Sequence, residues 1–208
     1  MIKIRKSVSI RSNYEKHTTK NPIGKLFLNN FLNTAVKTIR PLNIDSVLDV
    51  GCGEGFTLAR LQKEKIGKEF EGIEYDEEAI ELGKKLYPRL TIKKGDIYRL
   101  PYKDNSFDLV VCTEVLEHLE NPKKAYKELI RVSKKYILLS VPNEPFFTWQ
   151  RIVRLQNILE FGVHPEHIQR WSAREFTKFV RIRGVKLITR KFPIPWTMMV
   201  LKKVKVQS

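Results

Sequence analysis

Cysteine is scarce in this chain of 208 residues: only Cys52 and Cys112 occur. Both fall at the ends of apolar β-type segments, not in a spaced framework, so a disulfide-built fold is excluded and a reducing, cytoplasmic setting is expected. Long apolar runs are missing too. No stretch approaches the ~20 residues that span a bilayer, and no transmembrane segment is expected. The N-terminus, Met1-Ile-Lys-Ile-Arg-Lys, is basic but lacks the apolar core of a secretory signal. Internal repeats and low-complexity tracts are absent. Acids are also in deficit, with 23 Asp and Glu against 39 Lys and Arg, for a net charge of +16. The deficit is uneven. Residues 1–40 carry +8 and residues 123–208 carry +14, whereas residues 41–122 carry −6. Basic flanks around an acidic middle suit a polyanion such as RNA or an anionic membrane surface, or equally a Lys-rich solvated surface.

What is present is a globular composition, 42% apolar, at a length that suits one domain. Residues 1–40 read as a basic N-terminal helical cap, with Phe27, Leu28, Phe31, Leu32 and Ala35 at helical spacing. Residues 41–208 read as the main domain, with 144–170 as an insertion where acceptor specificity is expected. From residue 46, β-type and helical segments alternate. Strands are predicted at Ser46–Val50, Phe70–Glu74, Leu90–Lys93, Asp108–Cys112 and Tyr136–Val141, with two late ones at Val185–Phe192 and Thr197–Val204. Helices are predicted over Leu58–Lys65 and Glu77–Leu86. Another opens at Asn121-Pro122, and a last one is capped by Ser172 and Glu175 and ends near Gly184. Such alternation implies a parallel sheet with helices on both faces.

The chemistry concentrates at strand ends. Val47-Leu48-Asp49-Val50-Gly51-Cys52-Gly53-Glu54-Gly55 puts three glycines directly after a strand, where the chain can turn sharply and expose its main chain to a ligand. The acid ahead of them suits a cation better than a pyrophosphate, and G-x-G-x-G replaces the dinucleotide pattern. Glu74 ends the second strand, where a carboxylate can hold ribose hydroxyls. Gly95-Asp96-Ile97 follows the third; Asp96 can accept from an adenine amino group and Ile97 can pack on the ring. Phe107–Glu114 ends the fourth.

Together these motifs resemble class I S-adenosylmethionine (SAM)-dependent methyltransferases, in the subgroup that includes ubiquinone-pathway O-methyltransferases. The resemblance is strong over residues 40–145. It implies a Rossmann-like, doubly wound α/β sheet of about seven mainly parallel strands with one late antiparallel strand. It implies SAM contacts from Asp49, Gly51, Cys52, Gly53, Glu74, Tyr75, Asp96, Ile97 and Thr113. Methyl transfer in this class is mostly positioning, plus proton removal for a hydroxyl acceptor.

On the acceptor side, Glu114-Val-Leu-Glu117-His118 places Glu114, Glu117 and His118 on one face if these residues are helical. The pattern, with a later histidine such as His167, is similar to small-RNA 3′-terminal 2′-O-methyltransferases and to ubiquinone-pathway enzymes. That similarity implies a Mg²⁺ or Mn²⁺ site formed by Glu114, Glu117, His118 and His167. Without a metal, His118, His167 or Glu114 would act in proton transfer. Asn143 and Glu144 are placed to meet an acceptor. Phe146, Phe147, Trp149 and Trp171 form either an aromatic wall or the insertion's core. Tyr14 and the basic N-terminal segment are candidates for a lid. Three functions follow: methylation of a small molecule at a hydroxyl, methylation of RNA, and a non-catalytic SAM-binding activator of a partner.

Overall fold

Helix signals and strand signals lie where caps and apolar periodicity put them. The computed structural model describes residues 13, 14, 16–144 and 168–204. Residues 13, 14 and 16–18 are helical. Helix α1 spans Pro22–Ile39; the Asn21 side chain accepts from Ile23 N and Gly24 N, and Pro22 needs no acceptor for the amide it lacks. Its buried residues, Leu28, Phe31, Leu32, Ala35, Val36 and Ile39, recur at three- and four-residue intervals and face the sheet.

The remaining elements alternate as expected: β1 Ser46–Val50, α2 Phe56–Lys63, β2 Glu69–Glu74, α3 Glu77–Leu86, β3 Thr91–Lys94, β4 Phe107–Thr113, α4 Pro122–Val132, β5 Ser133–Pro142, α5 Ala173–Val180, β6 Val185–Lys191 and β7 Trp196–Lys203. The predicted capping box is formed. Ser172 Oγ accepts from Glu175 N, and Glu175 accepts from Ser172 N. Helix α5 stops at Val180 rather than near Gly184. Gly184 instead makes a left-handed turn, at φ 91°, into β6.

The seven strands form one sheet in the order β3-β2-β1-β4-β5-β7-β6. Strands β1 to β5 pair in parallel, and β7 runs antiparallel to both β5 and β6. The antiparallel strand therefore starts where its neighbour β5 ends, with Trp196 opposite Pro142 and Met198 opposite Ser140. Alternate residues feed two cores, as a sheet covered on both faces requires. Val47, Leu109, Val111, Leu138 and Val200 pack with α1, α2 and α3. Leu48, Val110, Cys112, Ile137 and Leu139 pack with α4 and α5. The α1 face and the sheet thus share one apolar cluster. Among the described residues no helix is long and apolar enough to cross a membrane.

Candidate functional site

In an open α/β sheet, ligands bind at the carboxyl ends of the parallel strands, near the point where strand order reverses. Here that point lies between β1 and β4, and the sequence motifs converge on it. After β1 the chain turns through Gly51 (φ 73°) and Gly53 (φ 54°). Gly51 and Cys52 donate their amides to Ile73 O at 2.8 and 3.2 Å, tying the loop to β2. A Cβ on Gly51 would stand 2.5 Å from Val115 Cγ2, and one on Gly53 would stand 2.7 Å from Asn13 Nδ2. Both positions therefore favour glycine on conformational grounds, and Gly51, packed against Val115, on steric grounds as well.

Asp49 is 1% exposed, and neither carboxylate oxygen has a hydrogen-bond partner among the described residues. Burial, reinforced by the charge of Glu74, pushes its pKa up to about 7. A buried carboxylate with unused acceptors beside a glycine loop is suited to a cationic ligand group. Glu74 is organised differently. Oε2 accepts from Gly53 N at 2.8 Å, and Oε1 accepts from Tyr75 N and Asp76 N at 2.7 and 3.0 Å. The main chain thus fixes the carboxylate at the mouth, leaving further lone pairs for hydroxyls. Tyr75 beside it is 54% exposed.

The turn after β3 is tied to this edge by Gly95 N donating to Glu74 O at 2.9 Å. Asp96 Oδ1 accepts from Tyr98 N at 2.8 Å, so part of its role is to shape that turn, and Ile97 packs on the α4 side of the sheet. Thr113 ends β4 opposite Ser140. Cys52 is the outlier of the set. Its side chain is 7% exposed and directed toward Gly72, whose Cβ, if present, would lie 2.6 Å from its Sγ. It fills core space, and burial pushes its thiol well above the usual range.

The acceptor side departs from the expected helix. Glu114 adopts a left-handed conformation, φ 60°, and only Leu116–His118 form a 3-10 turn. Three ligands on one α-helical face are therefore not available from residues 114–118. The cause is the strand end itself: Glu114 N donates to Ser140 O at 3.1 Å, prolonging the β4–β5 ladder where a helix would have begun. Among the described residues no group of three or more His, Cys, Asp or Glu could hold a metal ion. His167 lies outside the described residues, as do His164, Phe146, Phe147 and Trp149. The described residues by themselves thus form no Mg²⁺ or Mn²⁺ centre.

What residues 114–117 do form is a pair of carboxyl groups, Glu117 buried and Glu114 half-buried. Glu114 Oε1 accepts from Ser140 Oγ at 2.9 Å. Glu117 is 1% exposed, and both its side-chain oxygens are without partners among the described residues. Burial raises both pKa values, that of Glu117 further because Glu114 repels its charge. The Trp196 indole lies near enough to favour the Glu114 carboxylate, yet its Nε1 makes no well-formed hydrogen bond among the described residues. Asn143 and Glu144 are occupied locally. Asn143 Oδ1 accepts from Ala173 N and its amide donates to Pro195 O, while Glu144 N donates to Trp171 O. Trp171, half-buried, makes tilted ring contacts with Phe176 and Phe179 and packs on the core around α5.

Further residues that the motifs did not single out also reach this edge. Glu54, 0% exposed, accepts from the Asn13 side chain. His17 stacks on Phe56 with centroids 4.2 Å apart, and burial lowers its pKa to about 3. Lys16 sits 4.8 Å from the Trp196 ring centroid. The only signal for Glu54 was its place within the glycine loop; Asn13 and Lys16 were covered only by the lid expectation for the basic N-terminal segment, and Trp196 carried none.

Comparison with known proteins agrees with this geometry. The methyltransferase-domain family matches residues 48–138, which run from β1 into β5. The matched segment is a methyltransferase domain, and the fold is that of the class I SAM-dependent methyltransferases. A probable SAM-dependent methyltransferase of Mycolicibacterium smegmatis is 30% identical over 143 residues, covering 68% of this chain and 52% of that one. Norajmaline N-methyltransferase of Rauvolfia serpentina is 34% identical over 94 residues, covering 42% of this chain and 32% of that one. Among solved structures, the Haloferax volcanii complex of the Trm112 methyltransferase activator with a methyltransferase matches with TM-score 0.72 at 16% identity, covering 96% of this chain and 100% of that one. The chain spans about half the length of the first curated relatives it matches.

Proposed function

We propose that this methyltransferase binds SAM along the β1–β3 edge and transfers its methyl group to a hydroxyl of a small-molecule acceptor. The observation that carries the reading is the convergence of carboxylates on one mouth. Asp49 and Glu74 stand beside the glycine loop, and Glu114 and Glu117 stand at the end of β4. Asp49 would face the ammonium of SAM, Glu74 the ribose hydroxyls, and Asp96 with Ile97 the adenine. Gly51, Gly53 and Thr113 would line the path between them. An acidic mouth attracts a cationic cofactor and repels a polyanion, which favours a small acceptor over RNA despite the basic flanks. A carboxyl with raised pKa is a suitable proton acceptor for a hydroxyl, so Glu114 is assigned that role, with His118 as the neighbouring imidazole. His167 keeps its assignment as a later histidine of the acceptor side. No step is routed through a metal. The two free, buried cysteines suit a reducing, cytoplasmic setting.

The test is transfer of tritium from labelled SAM to a fractionated extract. Label is expected in small-molecule fractions and insensitive to nuclease. The Gly53→Val protein, which crowds the loop against Asn13, is expected to bind no SAM by calorimetry. Label confined to nuclease-sensitive material would replace the acceptor assignment with RNA.

A further inference from the structure

Among the described residues Glu117 is a buried carboxyl group whose oxygens lack a well-formed hydrogen bond, and the Glu114 carboxyl beside it disfavours its ionisation. Among the described residues neither has a direct ion pair. Such a pair stays protonated unless something of opposite charge is brought to it, which then stabilises the carboxylate form. The group that faces both is Lys16, whose field favours the ionised form of each. Its ammonium rests over two rings, 4.8 Å from the Trp196 centroid and 6.0 Å from that of Phe31, which is cation–π range. Phe31 and Trp196 themselves meet edge to face at 5.0 Å. Trp196 opens the antiparallel strand beside the end of β5, so the indole, Glu114 and Glu117 share one corner of the acceptor side.

Lys16 does not belong to the sheet or to the helices that flank it. It is carried by the short helical stretch before α1. That stretch reaches the domain through the Asn13 side chain on Glu54 and the His17 ring on Phe56. A lysine serving only to neutralise the pair would be expected within ion-pair distance of a carboxylate. Instead its ammonium is centred on an aromatic face, while the Glu117 oxygens and Trp196 Nε1 stay unsatisfied.

We infer that this corner, bounded by Glu114, Glu117 and Trp196, is a subsite for a cationic nitrogen of the acceptor, which takes the place of the Lys16 ammonium. The aromatic face receives the charge, and the Glu117 carboxylate receives its N–H donors. The acceptor class is thereby an amine-bearing molecule, methylated at another atom. This rests on the small-molecule reading above and narrows it.

The first experiment replaces the lysine with a free cation of matching length. The Lys16→Ala protein, loaded with S-adenosylhomocysteine, is titrated with butylammonium chloride and with butan-1-ol, and thermal unfolding is followed. Butylammonium is expected to raise Tm saturably; butan-1-ol and sodium chloride are not. Adding Glu117→Gln, which keeps shape and removes charge, is expected to weaken the butylammonium midpoint at least tenfold. Glu114→Gln serves the same purpose should the Glu117→Gln protein not fold. Calorimetric binding of S-adenosylhomocysteine reports an intact cofactor half in every variant. No saturable response, or a response unchanged when the carboxylate is neutralised, overturns the subsite. The second experiment first separates the tritiated products of the wild-type protein from unreacted SAM by reversed-phase chromatography, then passes them over a cation exchanger at acid pH. Label retained on the resin supports an amine acceptor, and label only in the flow-through overturns it. Label nowhere counts against methyl transfer itself and leaves the butylammonium titration to decide the subsite.

Discussion

Single carboxylates at this site do different work because their surroundings differ. Asp49 is sealed and unpartnered, whereas Glu74 is held by three main-chain amides. With a pKa of about 7, Asp49 is half neutral near neutrality. A bound ammonium favours the carboxylate, so SAM affinity is expected to rise between about pH 6 and about 7.5. Asp49→Asn should flatten that rise in a calorimetric titration. The stability of the free protein moves the opposite way. The fold favours the neutral form, so the contribution of Asp49 is fully present below the ordinary value of 3.8 and is lost as pH rises toward about 7. For Glu74→Ala the expected loss of SAM affinity is about 1.5–3 kcal/mol, the range for a hydrogen bond to a charged group. That corresponds to roughly 10- to 100-fold in Kd. An unchanged Kd would mean that another group holds the ribose.

Elements were readable where the local code is redundant. The N-caps at Asn121 and Ser172 and the apolar stripe of α1 each give the backbone one favoured conformation. Removing the α5 cap tests this at its own scale. Ser172→Ala should lower stability by about 1 kcal/mol, seen in chemical denaturation, with SAM affinity unchanged. A loss of SAM affinity at equal stability would show that α5 bears on the cofactor. Residues 114–118 show the opposite case. Spacing i, i+3, i+4 was compatible with a helix, but pairing of Glu114 with β5 and its left-handed turn prevent one. Propensity could not reveal this, since the partner, Ser140 of β5, lies far along the chain from Glu114.

Across the whole molecule, charge is segregated along the chain. Residues 41–122, which hold the strand ends, carry −6, while the flanks carry +8 and +14. The acids that matter are drawn together at one sheet edge although they are dispersed from 49 to 117. Activity on the true acceptor is accordingly expected to be indifferent to EDTA in a tritium-transfer assay, because no metal-binding trio exists among the described residues. An EDTA-sensitive rate restored by Mn²⁺ would overturn that expectation and bring residues 144–170 into the site.

The sequence by itself determined the alternation of strands and helices, the glycine loop after β1, and acids at the ends of successive strands. These are local or near-local features: caps, periodicity and backbone freedom act over a few residues. It also specified which residues would lie together at the strand ends, because parallel strands bring their carboxyl ends to one edge whatever the details of packing. Only the tertiary structure decided what lies on the acceptor side. Lys16, Glu117 and Trp196 are separated by most of the chain and share no motif. They meet because β7 runs antiparallel, starting at the edge where β5 ends, and because the segment before α1 returns to that same edge.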